Sequence, residues 1–417
     1  MSQKDSFAAL RIPNFRNYLL ARFLSTFGWQ MQGVVVGWHV YSLTKDEFSL
    51  GLIGLAEALP LIVVSLYAGH VVDNNERKKI ILRCMILLVI CWLFLFIVSL
   101  DAISYFTSHK VFFIYFAIFL SGIVRGFIGP ANFAFLGQLI PKELYPNAIS
   151  WSTSNWQLAS VLGPAAGGFL FAFAGTAGSY GTVVCITAIA AFLISKVEKK
   201  PLPPVTDETS MFDSLSLGLK YVFKNKIILS SITLDLFAVL FGGAVALLPV
   251  FAHDILSVGP EGLGVLRAAP SIGAVLMGLI MIKYSPAHNA GRNLLINVFL
   301  FGVCMIVFAF SKTFYLSVFI LFLSGAFDQV SVVIRSMIIQ IYTPDNMKGR
   351  VSAVDSIFIG SSNEIGAFES GTAAKFMGLI PSVIFGGCMT LIVVITTFFI
   401  SPKIRDLKLN KTDELKI

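Results

Sequence analysis

Eleven charged side chains, Arg22, Glu57, Arg125, Asp235, Arg267, Asp328, Arg335, Asp355, Glu364, Glu369 and Lys375, stand inside stretches of this sequence that are otherwise apolar. Two kinds of chemistry are open to them. A carboxylate beside a cation stays ionised, and one parted from its cation takes up a proton more readily, so an acid whose partner comes and goes can carry protons. Guanidinium groups present several donors in a planar fork and hold carboxylate or phenolate oxygens. Asp328 and Arg335 are seven residues apart, two helical turns on one face, so an acid and a base address the same space.

Depth ranks these residues. At a helical rise of 1.5 Å, Arg125, Asp328 and Glu364 lie about 14 residues, or roughly 20 Å, inside their apolar segments, too deep to reach water. Arg22 and Asp355 sit about one turn inside one end and Lys375 near the other, where a side chain can extend to the interface. Asp328 and Glu364 are therefore the leading acids for proton transfer, followed by Glu57, Asp235 and Glu369. Arg125, Arg267 and Arg335 are the candidates to hold an anionic group. Trp29 and Trp156 offer faces to an aromatic ligand, although with 38 Phe in the chain most aromatic positions are explained by packing.

These residues need a medium and elements to position them. Of 417 residues, 56% are hydrophobic and 13% charged, which leaves too little polar surface to coat a soluble globule. A lipid bilayer suits such a chain. Segments long enough to cross ~30 Å of hydrocarbon as a helix recur about twelve times. They fall near 17–42, 49–73, 79–101, 111–137, 147–174, 178–197, 227–254, 260–284, 291–311, 314–341, 350–377 and 380–401. With no water to satisfy free backbone groups each must be helical, and the short alternating strands of a membrane barrel are missing. The expected fold is an all-α membrane protein of twelve transmembrane helices.

Lys and Arg set the orientation. They crowd one group of loops, at Arg77–Lys79, Arg83, Lys142, Lys196–Lys226, Lys283, Arg292, Lys348, Arg350 and from Lys403 onward, against Lys45, Lys110 and Lys312 on the other side. The positive-inside rule makes the crowded side cytoplasmic and places both termini there. The net charge of +8 follows from that topology and from acidic headgroups, so nucleic acid is not an expected partner. The chain is polar up to Arg16 and its first apolar segment is a full span, so no cleavable signal peptide is expected.

The chain is also doubled. Phe-Leu-Ser-Gly occurs at Phe119–Gly122 and Phe322–Gly325, and at the same offset Pro141 falls on Pro344, Gly163 on Gly366 and Gly168 on Gly371. A constant offset over about fifty positions marks an internal repeat. Matched sites differ in sign: Arg125 answers to Asp328, three residues after each Phe-Leu-Ser-Gly, and at a nearby offset Glu57 answers to Arg267, three residues before an aligned Pro. The expected organisation is a six-helix bundle over 1–197, a cytoplasmic linker over 198–226, a second six-helix bundle over 227–402 and a tail over 403–417. Within the linker Phe212, Leu215, Leu219, Val222 and Phe223 recur at helical spacing against Lys220 and Lys224, which predicts an amphipathic helix on the membrane surface. The charged tail is expected to lack structure.

Twelve spans in two pseudo-symmetric halves resemble the major facilitator superfamily along the whole chain. Gly69-His-Val-Val-Asp73-Asn-Asn-Glu-Arg77-Lys78-Lys79 is similar to that superfamily's loop motif after the second span, with Asn74 and Glu76 in place of an Arg and a Gly. Gly163-Pro164-Ala-Ala-Gly167-Gly168 resembles its antiporter motif; the second half keeps Gly366 and Gly371 and has Ala367 in place of the Pro. Asn346-Met-Lys-Gly349-Arg350-Val-Ser-Ala353 leading to Gly360-Ser-Ser-Asn-Glu364-Ile-Gly366 resembles the eleventh span of bacterial exporters of the enterobactin-exporter and macrolide-efflux type. The resemblance implies a substrate site between the halves near the midplane, with Arg125 opposite Asp328, and gating by Gly69, Asp73, Arg77, Lys78, Gly163, Pro164, Gly167, Gly168, Gly349 and Arg350. It implies a proton-coupled exporter of a siderophore-like or drug-like small molecule in a bacterial inner membrane.

Other readings stay open on the residues alone: a proton-coupled symporter importing an anionic nutrient, which the arginines would suit, or a membrane sensor or assembly component that moves nothing. An enzyme is not expected. The chain holds no Gly-x-x-x-x-Gly-Lys-[Ser/Thr] phosphate loop, its five Cys lie in or at the edges of spans without metal-ligand spacing, and its five His are scattered singly. The expected partners are a small-molecule substrate, protons and the lipid bilayer, with no cofactor and no metal, and a monomer is the expected working unit.

Overall fold

A computed structural model describes residues 7–101, 104–201, 211–284, 286–344 and 347–409, and all regular structure among them is helical. Asp73, Phe212, Leu215 and Gly349 are described in backbone only. The principal helices are α1 (Pro13–Thr44), α2 (Glu47–Asn74), α3 (Arg77–Ser99), α4 (Lys110–Leu139), α5 (Tyr145–Lys196), α6 (Met211–Lys224), α7 (Lys226–Gly242), α8 (Pro260–Lys283), α9 (Ala290–Phe310), α10 (Phe314–Tyr342), α11 (Lys348–Met377) and α12 (Leu379–Ile400).

Nine stretches among the described residues are both long and apolar enough to cross a membrane. One of them, α5, makes two crossings, because Gly175 at φ 63°, ψ −168° breaks its 52-residue run into two arms. Only glycine takes that backbone region without strain. Helices α1 and α11, 32 and 30 residues long, are outside the nine. In α11 the cause is its charges, from Lys348 and Arg350 to Glu369 and Lys375. Every expected span is thus helical. Span α7 continues through short turns to Ile255, and at its start the Asn225 side chain accepts from the backbone N–H groups of Ile227 and Ile228, two of the donors that a helix start leaves free.

The chain forms two compact units, residues 1–43 with 56–208 and residues 44–55 with 209–417. Inside a membrane the surrounding lipid is as apolar as leucine, so helices associate through close packing, and small residues set where they cross. The first unit shows this where α5 meets α1: a Cβ at Gly163 would come within 2.6 Å of Gln30 Cβ and one at Gly167 within 2.8 Å of Met31 O. It recurs where α4 meets α2, since a Cβ at Gly122 would lie 2.5 Å from Glu57 O and 2.7 Å from Pro60 Cγ.

The second unit repeats both crossings with the matched residues. Gly325 of α10 lies against Pro270 O of α8, where any side chain would overlap the carbonyl, and a Cβ at Gly366 of α11 would come within 2.9 Å of Leu240 O of α7. The doubled Phe-Leu-Ser-Gly is thus a doubled crossing point, its glycine seated on the proline-bearing turn of the neighbouring helix. Gly371 faces Gly51 and Gly54 faces Ala367 and Glu364 O, which is how 44–55 joins the second unit. Ile228, Ile232, Leu294, Leu295, Val298, Ile334 and Ile338 fill the core between α7, α9 and α10.

Helix α6 forms over the second part of the linker, with Val222 buried and Leu219 and Phe223 exposed. One expectation about the polar segments changes. The tail is ordered as far as it is described: Pro402–Arg405 is a helical turn, Ile404, Leu407 and Leu409 are buried, and Leu409 N donates to Ala287 O at 2.9 Å. The charges of the tail suggested disorder, and three apolar residues that insert beside α9 outweigh them.

Candidate functional site

In the first unit the deep charge Arg125 of α4 is held twice. Its Nη1 lies 2.5 Å from Glu57 Oε1 on α2, and its guanidinium carbon sits 4.1 Å from the centre of the Trp29 ring on α1, well inside cation–π range. The Gly122 crossing produces this geometry: it brings α4 so close to α2 that Arg125, one turn further along, reaches Glu57. This pairing lies inside one unit and joins residues 68 positions apart. Both side chains are partly exposed, Arg125 at 23% and Glu57 at 13%, so the pair remains reachable.

The second unit holds a denser cluster. Arg335 of α10 pairs through Nη1 with Asp235 of α7, and its Nε stands 3.8 Å from Asp355 Oδ1 of α11. Arg335 is 5% exposed, Asp235 9% and Asp355 17%. Asp328 lies two turns from Arg335 on the same helix and lines, with Asp235, Ala238, Val239, Val298, Phe301 and Ser331, a cavity of about 10 Å³. That is room for about one water molecule. Two carboxylates therefore share one guanidinium, and a third, Asp328, lines the small cavity beside Asp235. With all of them ionised the group carries two surplus negative charges in a region of low polarity, and a proton on one acid relieves that cost. Asp355 was expected to be an interfacial residue; its place a turn inside α11 instead brings it to Arg335.

The remaining expected site residues are more dispersed. Arg267 of α8 and Glu364 of α11 are half-buried and engaged in contacts of their own. Glu369 is half-buried beside Ser370, whose hydroxyl donates to Gly243 O at 3.1 Å. Trp156 is 46% exposed on α5 and does not join Trp29 at Arg125 in any ring or cation contact recorded among the described residues. Pro164 and Gly168 are buried in the α5 crossing and Gly69 is half-buried in α2.

At the α2–α3 turn Arg77 Nη1 donates to Ala134 O of α4 at 3.2 Å and the buried Lys78 Nζ to Ser195 O at the end of α5 at 2.9 Å. Ser195 O, in the last turn of α5, is a carbonyl that a helix end leaves free, and a cation there satisfies it. Arg350, in the first turn of α11, has its backbone O 2.8 Å from where a Gly218 Cβ would stand, so α6 packs directly on it. Sequence reasoning missed the crossing roles of Gly122, Gly325, Gly51 and Gly54; the signal was present in the aligned Gly and Pro of the repeat and in the Gly51–Gly54 spacing.

Twelve helical arms in two repeated sets, each with charges buried among apolar helices, define a multi-pass membrane transporter of the major facilitator fold. The likeness to solved structures agrees: a bacterial homologue of the human lysosomal transporter Spinster, in an inward-facing and unoccupied conformation, superposes with a TM-score of 0.75 at 14% identity, covering 97% of this chain and 98% of that one. A D-xylose–proton symporter gives 0.72 at 13% identity, covering 97% and 99%. The profile of the transmembrane secretion effector family matches residues 4–415, and the chain belongs to that family of secondary transporters, which are not enzymes. Among curated relatives, the enterobactin exporter EntS of Shigella flexneri is 26% identical over 399 residues, covering 94% of this chain and 93% of the relative. The EntS protein of Escherichia coli O1:K1 / APEC is 25% identical over 397 residues, with the same shares covered.

Proposed function

We propose that this transporter is a proton-driven exporter of an amphipathic, siderophore-like or drug-like small molecule in a bacterial inner membrane, with both termini cytoplasmic. The observation that carries the reading is the cluster in the second unit in which Asp235 and Asp355 pair with Arg335 while Asp328 lines the adjoining cavity with Asp235. Asp328, beside the water-sized cavity and without a guanidinium bonded to it among the described contacts, is the proton acceptor. Asp235 and Asp355 hold Arg335, and release of that arginine in another state of the cycle would return the proton. The Glu57–Arg125–Trp29 group offers an acid, a cation and an aromatic face to the cargo. Glu364 and Glu369 are further proton acceptors and Arg267 and Trp156 further cargo contacts on this reading. The repeat halves, 1–197 and 227–402, are the moving bodies, and Gly69, Asp73, Arg77, Lys78, Gly163, Pro164, Gly167, Gly168, Gly349 and Arg350 serve the gates. Export is favoured over anion import because Arg125 and Arg335 are already engaged by carboxylates, which leaves less free positive charge for an anionic nutrient.

The test uses Asp328→Asn in everted vesicles with enterobactin, the cargo named for the relatives, as probe. Uptake driven by a pH gradient should fall to the passive level, and purified Asp328→Asn should take up one proton fewer than the wild type in a titration with an indicator dye. Unchanged transport and unchanged proton uptake would remove Asp328 from coupling.

A further inference from the structure

The lysines that sequence analysis assigned to topology in general converge on one place. Where α6 ends and α7 begins, Tyr221, Lys224, Asn225, Lys226 and Ile227 form one wall of a groove of about 510 Å³, and Tyr342 at the end of α10 and Lys403 in the turn after α12 form the other. The groove is built from distant parts of the chain: Tyr221 Oη donates to Tyr342 O at 2.7 Å, and Ser230 and Ser401 hydroxyls bond at 3.0 Å. Among the described residues no carboxylate lines it, and none pairs with Lys224, Lys226 or Lys403.

This concentration of charge is unfavourable unless something answers it. Lys226 stands at the first position of α7, where the helix dipole is positive and favours an anion over a cation. Just before Lys224 and Lys403 in the chain stand exposed apolar residues: Phe223 is 57% exposed, Phe399 71% and Ile400 77%. A phosphate with an apolar tail matches both halves of this surface, and basic pockets between helix ends at the membrane face are where phospholipid headgroups bind.

We propose that the groove is a binding site for the phosphate of an anionic phospholipid, held by Lys224, Lys226 and Lys403, with its acyl chains along Phe223, Phe399 and Ile400. The bound lipid fastens the linker helix to the second unit at the point where the linker enters α7.

The experiment titrates the purified full-length protein in a neutral detergent with dioleoylphosphatidylglycerol and follows its thermal unfolding midpoint. Wild type should show a saturable rise. In Lys224→Gln/Lys226→Gln/Lys403→Gln the half-saturating lipid concentration should increase on the order of a hundredfold, three lysines each contributing their share. Lys403→Gln alone, on an exposed turn, should shift it about fivefold without any risk to folding, and the triple Arg variant should keep the wild-type response. Removal of the same charge elsewhere, in Lys199→Gln/Lys200→Gln/Lys408→Gln, should leave it unchanged. The proposal is overturned if the groove variants respond as wild type does or if the control triple loses as much. An equal rise with inorganic phosphate at matched concentration would make the occupant a free anion and overturn the lipid assignment.

Discussion

Arg125 is a charge about 20 Å deep by helical rise, and the structure gives it both an acid and an aromatic ring. Such a residue is tolerated because Glu57 at 2.5 Å cancels it and Trp29 stacks on it. Removing one partner is worse than removing both, since a cation among apolar helices left without its counter-charge carries an uncompensated desolvation cost. Glu57→Gln is therefore expected to lower stability by about 2 kcal/mol, and Glu57→Gln/Arg125→Met to recover most of it. Thermal unfolding of the three proteins in detergent gives the coupling energy directly; equal stability of Glu57→Gln and wild type would show that the pair contributes nothing. That these acids stand inside apolar segments was readable from the sequence. Which base each one meets was not, because Glu57 and Arg125 are 68 residues apart.

Among the helices the decisive feature is the glycine crossing that occurs twice. Gly122 on Glu57 and Pro60, and Gly325 on Pro270, let two helices approach to backbone contact, and each crossing fixes the charged residue one turn away. Gly325→Val forces a side chain into Pro270 O and should destabilise by about 1–3 kcal/mol, the usual cost of overpacking. The same helix pair then no longer presents Asp328 at its cavity, so proton uptake should fall with stability. Gly360→Ala is the control, because a Cβ there meets nothing within 4 Å, and it should be neutral or slightly stabilising through helix propensity. Loss of midpoint temperature in Gly360→Ala equal to that in Gly325→Val would remove the crossing from the explanation. Span limits were legible because hydropathy is a local property. The order in the tail was not, since Ile404, Leu407 and Leu409 are buried with the help of residues more than a hundred positions away, such as Ala287 and Gly291.

At the scale of the molecule, the direction of transport is the property on which the proposed reading turns. A strain lacking the protein should retain the cargo inside and lose it from the medium, as seen by comparing intracellular and extracellular metabolites with those of the parent. Depletion inside the cell would turn the reading to import. The amino-acid sequence by itself determined the medium, the number of spans, the repeat and the acids worth suspecting, because composition, apolar length and self-similarity are written along the chain. The tertiary structure alone decided how the charges are shared: Arg125 with Glu57 and Trp29, and Arg335 with Asp235 and Asp355 beside Asp328. Those pairings depend on where glycine lets one helix cross another, and a crossing joins residues that no local pattern connects.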